Sequence, residues 1–364
     1  MTGYDVVIVG GGQAGLALGH ELAGTGLDFV TLDAGPEVGH VWRDRWTSLR
    51  LFTPARYAAL PGLPFPGPPD AYPGKDQVAD YLATYASTFD LPVKTSTAVT
   101  ALERHDDYRL TTSRGPVRAR QVVVSTGPFQ QPAVPALSET FAPEILQQHS
   151  SAYRDPDAFR GSRVLVVGAG NSGVQIAAEL AADPDVVAVT LSAGTRNVHV
   201  PQRILGRDIF WWQTRAGLIT APAASRRGRW MRRGEGTAIG HSPRALRRLG
   251  ISFAPRLAKA LDSTAAFADD TRTDVDAVVW ATGFRRDHSW VDIPGALDGS
   301  VLRHREGITP TPGLYVLGQP WQRTAGSALI GYVGHDAAHL AQQIRSRATT
   351  TSAPLSWRDP TTRR

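Results

Sequence analysis

Two glycine-rich turns hold the residues whose types and spacing can do chemistry. Gly10, Gly12 and Gly15 stand in GGGQAG, and Gly168, Gly170 and Gly173 stand in GAGNSG. In a G-x-G-x-x-G turn the first glycine makes the tight bend and the second lets backbone N–H groups approach a diphosphate. The third lets the following helix pack close on the strand before it. The N-terminus of that helix offers about half a positive charge to the phosphates. Gln13 and Ala14 open the first helix, and Asn171 and Ser172 open the second, so these four are expected on the phosphate side of each site. Asp33, at the end of the next strand, is placed to accept from the hydroxyls of an adenosine ribose, or else it is an exposed strand-end carboxylate. At the equivalent place in the second unit stands Ser192, with Arg196 four residues on. A carboxylate there repels a 2′-phosphate, whereas a hydroxyl and a guanidinium bind one, so the second turn favours NADP(H); Arg196 as a solvent-facing loop residue is the alternative. The first site suits a tightly held FAD and the second an exchanging NADPH.

These turns need strands and helices to aim them, and the pattern supplies both. DVVIV at 5–9 runs into the first turn and an Ala/Leu-rich helix over 14–23, and LDFVTL at 27–32 ends at Asp33. RVLVV at 163–167, VQIAAELAA and VVAVTLS at 186–192 repeat the same βαβ grammar around the second turn. Residues 53–74 carry too many prolines for a helix or central strand and are expected as an ordered surface loop. A helix over 75–89, strands within 98–124 around a turn at 114–116, short β-rich runs at 275–284 and 313–318, and a closing helix from Ala325 to Arg345 complete the pattern. The expected fold is α/β, with two Rossmann-like dinucleotide-binding domains and the NADPH domain inserted into the FAD domain. The boundaries read as 1–155 and 275–348 for the FAD domain, 156–274 for the NADPH domain, and 349–364 for a disordered tail.

Composition narrows the function further. At 364 residues with 42% apolar and 20% charged residues, the chain is long and apolar enough for two cores and is not a disordered polymer. The absence of cysteine removes disulfide scaffolds, thiolate metal centres and dithiol redox enzymes. No metal site is expected. No apolar run approaches a membrane span, and the chain opens directly into a strand, so a cytoplasmic protein without membrane contact is expected. The net charge of +6 gathers in one dense stretch, Arg226, Arg227, Arg229, Arg232 and Arg233, followed by Arg244, Arg247 and Arg248. A solvated surface and a polyanion contact both fit it.

GGGQAG, GAGNSG, STG at 125–127 and ATGF at 281–284 together resemble the class B flavin-dependent monooxygenases, which include flavin-containing, N-hydroxylating and auxin-forming enzymes. The likeness spans about residues 5–345, and WRDRWTSLRLFTPARY at 42–57 with AYPGKDQVADYL resembles short bacterial members found near metal or arsenic resistance functions. That family's F-x-G-x-x-x-H-x-x-x-W/Y signature has a counterpart ending in His149 and Tyr153. Pro143 replaces its glycine, and two extra residues follow Phe141, so the His-x-x-x-Tyr half is what carries over. The resemblance implies FAD, NADPH and O2 as co-substrate, an oxygenated flavin bonded at C4a, and transfer of one oxygen to a nucleophilic N, S or activated carbon of a small molecule. Tyr153 in place of Trp-Pro points to heteroatom or soft-carbon oxygenation. Phe52-Thr53-Pro54 occupies the place of a common active-site asparagine, making Thr53, His149 and Tyr153 the catalytic candidates, with a buried, hydrogen-bonded structural histidine as the alternative for His149. Further cofactor contacts implied are Gly127, Ala281, Thr282 and Gly283, with Gln319 where related reductases carry an aspartate near the ribityl chain. Gly326 and Ser327 are expected at the start of the last helix, aimed at the flavin N1/C2-carbonyl edge. Trp42 and Arg43 are expected at the cofactor; Arg43 and Arg45 meet flavin or substrate charge, or else brace their loop. Trp42, Trp46, Trp211 and Trp212 wall an aromatic pocket at the domain junction, or else are core residues.

Two rivals stay open at this level. An NADPH-dependent flavoprotein reductase passing electrons to a protein or small acceptor uses the same two domains. A catalytically silent dinucleotide sensor binding nucleic acid through the 226–248 stretch lacks any DNA-binding motif. A small-molecule substrate, no nucleic acid, and a homodimer as the assembly to look for are the expected partnerships.

Overall fold

A computed structural model of the chain describes residues 2–194, 199–233 and 238–350. Val6 to Val9 are buried along β1 (Thr2–Val9), the composition of a central parallel strand covered on both faces. It pairs in parallel with β2 (Phe29–Leu32) and β6 (Val117–Val124). The sheet runs in the order Val291–Asp292, β4 (Val99–Arg104), β5 (Tyr108–Thr112), β6, β1, β2 and β3 (Val93–Lys94), with Leu314–Val316 also pairing β6 in parallel. One face packs Val6, Ile8 and Leu317 against α1 (Gln13–Leu22), α3 (Lys75–Thr88) and the last helix, Val333–Thr350; a short α2 (His40–Arg43) lies between α1 and α3 in the chain. The other face buries Val7, Val9 and Val122 with Leu102, Tyr108, Leu110 and Ile293.

The second sheet is wholly parallel, in the order Ser252–Ala254, β10 (Ala188–Ser192), β9 (Arg163–Val167), Ala277–Trp280 and β8 (Leu146–His149). α4 (Asn171–Ala182) covers one face, and an antiparallel sheet of 257–261, 264–267 and 272–274 covers the other. The insertion of one α/β domain into another is therefore as expected, but its boundaries are wider. Strands β8 and Ala277–Trp280 lie in the second sheet, which reaches from residue 146 to 280 rather than 156–274. Each connecting segment lends a strand, and all four residues of Ala277–Trp280 are buried. The two connections run side by side where β7 (Gln131–Pro132) pairs antiparallel with Phe284–Arg285.

Residues 53–74 are irregular apart from a 3₁₀ turn at Ala55–Tyr57, and the stretch 98–124 forms three strands. The last helix begins at Val333, not at Ala325. Residues 325–332 form packed turns because glycines there accept close neighbours: a Cβ on Gly331 would collide with the Tyr57 carbonyl, and one on Gly326 would stand 2.7 Å from the Tyr332 Cβ. The helix continues through residue 350, and residues 351–364 lie outside the described set. Among the described residues no helix is long and apolar enough to cross a membrane.

Candidate functional site

At the carboxyl end of β1 the first turn has the expected mechanics. Gly10 adopts φ 109°, and a Cβ there would stand 2.7 Å from the Ser125 carbonyl oxygen. A Cβ on Gly15 would collide with the Gly10 carbonyl, so the helix can close on the strand only with glycine. Above Gly12 nothing lies within 4 Å. Gly12 caps α1 with no side chain, and the first turn holds no acid, which leaves N–H donors for an anion. Asp33 reaches into the turn itself: its Oδ2 accepts from Gly11 N at 2.6 Å and its Oδ1 from Gly35 N at 2.8 Å. The carboxylate is thereby fixed within the first glycine turn. Ser125 donates its hydroxyl toward the Val9 and Gly10 carbonyls at 3.0 and 2.9 Å, and Gly127 takes a left-handed φ of 70°.

Gln319 closes this cradle from the strand Leu314–Val316. A Cβ on Gly318 would stand 2.7 Å from the Ala14 Cβ, so the segment presses on the start of α1. Gln319 is 1% exposed, yet both its amide nitrogen and its amide oxygen lack a partner. A buried amide left unpaired costs several kcal/mol of lost hydrogen bonding, on the order of 1–3 kcal/mol per group, so a polar ligand there satisfies it. Gln13 donates to the Ala328 carbonyl at 3.1 Å and so ties α1 to the 325–332 turns. Ser327 is fully buried, and its Oγ accepts from Arg323 N and Thr324 N at 3.0 and 2.9 Å. With the helix start six residues later, Gly326 and Ser327 do not open that helix, and the expected helix-dipole contact at these two residues is corrected to a turn-stabilising role.

The second turn repeats the first. Gly168 has φ 108°, a Cβ on Gly173 would collide with the Gly168 carbonyl, and the space above Gly170 is open. Gly170 likewise caps α4 without a side chain or a first-turn acid. Asn171 Oδ1 accepts from Ile239 N at 2.9 Å, and Ser172 is half-buried beside it. Ala281 N donates to Val167 O at 2.8 Å, and Thr282 Oγ1 donates to Ala133 O at 2.6 Å, so ATGF braces the turn against the connecting segment. The strand-end difference is real, but Ser192 is not free for a phosphate. It is 1% exposed, donates to Pro255 O at 2.7 Å and accepts from Leu257 N at 3.1 Å. The expected direct contact is corrected: Ser192 anchors the loop after Ser252–Ala254. That loop carries Arg256, an exposed residue whose Cγ lies 3.9 Å from the Cβ position of Gly194, two residues past Ser192. Arg256 escaped sequence reasoning because it is 64 positions from Ser192; only the parallel pairing of Ser252–Ala254 with β10 brings them together. Arg196 lies outside the described residues.

Between the sheets, His149 is 7% exposed at the end of β8. Its Nε2 donates to Gly283 O at 2.9 Å, and its Nδ1 accepts from Ser151 N at 3.1 Å. Burial, opposed by the hydrogen bond to the Gly283 carbonyl and aided by the Arg45 charge, holds this imidazole below its usual range. Gly283 O also accepts from Ala133 N, so one carbonyl ties both connections together. Tyr153 is fully buried in the second core, and its hydroxyl donates to Glu179 Oε2 at 3.1 Å. Its expected catalytic place is corrected to a structural one, with burial raising its pKa. Arg43 is likewise a brace, paired with Glu37 at 2.6 Å and Asp80 at 2.7 Å. Trp42 packs against both cores, and Trp46 is buried in the second. Thr53 is buried, and the carbonyl of its neighbour Phe52 accepts from Gln202 Nε2 at 2.9 Å. The aromatic cluster at the junction is not the tryptophans but Phe52, Tyr57, Phe210 and Tyr332, with Phe52 stacked on Phe210 at 5.9 Å. No local pattern announces it, since its members come from three separate segments.

A family model described as pyridine nucleotide-disulphide oxidoreductase matches residues 7–204. The chain belongs to this family. An oxidoreductase described as CzcO-like from Geobacillus kaustophilus is 42% identical over 93% of this chain and 98% of its own length. A probable indole-3-pyruvate monooxygenase, YUCCA9 from Arabidopsis thaliana, is 29% identical over 93% of the chain and 88% of its own. Among solved structures, a flavin-containing monooxygenase from Stenotrophomonas maltophilia aligns with a TM-score of 0.80 and 28% identity, covering 96% of this chain and all of that one. This chain is thus a flavin-dependent oxidoreductase of the monooxygenase-like branch. It carries no cysteine to serve a disulphide.

Proposed function

We propose that the protein is an FAD-dependent, NADPH-consuming monooxygenase acting on a nucleophilic N, S or activated carbon of a small molecule. What supports this reading most is the pair of open, uncapped helix starts, of one build, on two sheets joined by adjacent connections. Bound in the first cradle, FAD would supply the activation of dioxygen, with NADPH in the second cradle as the source of reducing equivalents. The chain's own part is binding, orientation and exclusion of water.

The N–H groups of α1 hold the FAD diphosphate, Asp33 accepts from the adenosine ribose, and the Gln319 amide pairs with the polar chain leading to the flavin ring. The N–H groups of α4, with Asn171 and Ser172 beside them, hold the NADPH diphosphate, and Arg256 with Arg196 meets the 2′-phosphate that no strand-end carboxylate repels. His149 fixes the Gly283 carbonyl and with it the approach of the two domains; it is a positioning residue. Thr53, next in the chain to Phe52 of the aromatic cluster, is the polar group offered there. The substrate nearest in kind among relatives is the indole-3-pyruvate named for the Arabidopsis protein, and thioethers serve as a neutral probe.

The test uses FAD-loaded protein, NADPH, methyl phenyl sulfide and ¹⁸O-labelled dioxygen. Sulfoxide carrying one labelled oxygen for each NADPH consumed is expected. Rapid ferricyanide reduction with NADPH, without labelled product from this sulfide or from an aryl keto acid, makes the protein a reductase instead.

A further inference from the structure

Arg43 and Arg45 lie two residues apart, and the structure separates their roles. Arg43 is matched by two carboxylates. Among the described residues the Arg45 guanidinium has no hydrogen bond and no ion pair, although the residue is only partly exposed. Its guanidinium carbon lies 6.0 Å from the ring centre of Phe129 and 5.8 Å from that of Phe284. Those rings meet edge to face at 5.3 Å, and Phe284 meets His149 in the same way at 4.9 Å. Phe129 follows β6 and Phe284 follows Ala277–Trp280, so the group sits where the two connections between the domains run side by side. Phe129 is 64% exposed, which opens this patch to a ligand.

Two charged side chains among the described residues bear on Arg45: Arg154, of like charge and the larger influence, and its sequence neighbour Asp44, which does not reach it as an ion pair. Two aromatic faces give a guanidinium about 0.5–1 kcal/mol each at exposed sites, which does not replace a counter-ion. Partly buried cations in folded proteins are normally paired, and this one is held unpaired between two rings.

We propose that Arg45 is the receptor for an oxyanion attached to a planar ring: the carboxylate of an aromatic acid substrate or, from the other source, the diphosphate arm behind a nicotinamide. The proposal rests on the reading above that the protein is an NADPH-consuming monooxygenase acting on a small molecule. A carboxylate takes two parallel N–H donors from a guanidinium while its ring lies against Phe129 and Phe284. Each helix start already serves one diphosphate, so the additional cation fits a third anion, the substrate's.

The test uses FAD-loaded wild-type, R45Q and R45K proteins. Calorimetry with phenylacetate and with phenylacetamide measures the preference for charge, and anaerobic flavin reduction measures half-saturation for NADPH and NADH. The expected result is that the wild type binds the acid more tightly than the amide by about tenfold, R45Q loses that preference and R45K keeps part of it, with both dinucleotides unaffected. A comparable rise in half-saturation for NADPH and NADH alike in R45Q, with acid binding unchanged, assigns the anion to the dinucleotide diphosphate. If R45Q matches the wild type in both measurements, the anion receptor is excluded and Arg45 only shapes its loop. Both readouts are independent of oxygen transfer, so an acid preference that survives without labelled product removes the monooxygenase reading and leaves the anion site standing.

Discussion

The two glycine turns differ by one degree at their first glycine, collide in the same way at their third and open in the same way at their second. They part company only at the end of the following strand. Asp33 turns back into its own turn and bonds Gly11, whereas Ser192 turns away and anchors the loop that carries Arg256. On the proposed reading this is a division of labour: the turn would determine that a diphosphate binds, and the strand end which nucleotide brings it.

Breaking the turns themselves has the largest expected effect. Gly15→Ala forces a Cβ into the Gly10 carbonyl, a strain of about 1–3 kcal/mol placed on the FAD cradle. Purified G15A is expected to be colourless, with flavin content read from absorbance per mole of protein. Gly173→Ala is expected to stay yellow and lose reduction by NADPH instead; a colourless G173A sinks the assignment of the two cradles. Next comes Asp33→Ala, which removes two accepted hydrogen bonds and the ribose acceptor. Charged hydrogen bonds contribute about 1.5–3 kcal/mol each, so FAD retention measured by dialysis is expected to fall at least tenfold, with NADPH half-saturation of the remaining holoenzyme unchanged. Arg256→Gln sharpens the other half of the comparison. Half-saturation for NADPH is expected to rise about tenfold, the loss of one charged contact, with NADH unaffected. An equal change for both dinucleotides argues against a 2′-phosphate contact. Tyr153→Phe has the smallest effect, about 1 kcal/mol of stability in denaturant melts as Glu179 loses its donor, with turnover unchanged. A large fall in turnover at unchanged stability returns Tyr153 to the chemistry.

Local signals carried the cradles. Glycine spacing after an apolar strand is a short-range feature, and Gly10, Gly168 and Asp33 all sit where their neighbours in the chain put them. What depended on distant pairing was not legible. Leu146–His149 and Ala277–Trp280 read as parts of the first domain until their parallel pairing placed them in the second sheet. Ser192 looked available for a phosphate because its partners, Pro255 and Leu257, are more than sixty residues away. Helical spacing over 325–345 hid the packed turns, which exist because Gly331 lets the chain lie against the Tyr57 carbonyl. Tyr153 matched a signature by type while its surroundings made it a core residue.

The antiparallel bridge of Gln131 and Pro132 with Arg285 and Phe284 has a consequence for how such a protein is assembled. The chain departs for the second sheet and comes home at one doorway, so its covalent ties to the host pass through a single frame, while Trp46 and Leu49 of the host still pack into the inserted core. Splicing residue 131 directly to 285 spans one inter-strand gap, and it is expected to leave an FAD-retaining half molecule from which the nicotinamide module has been lifted out whole.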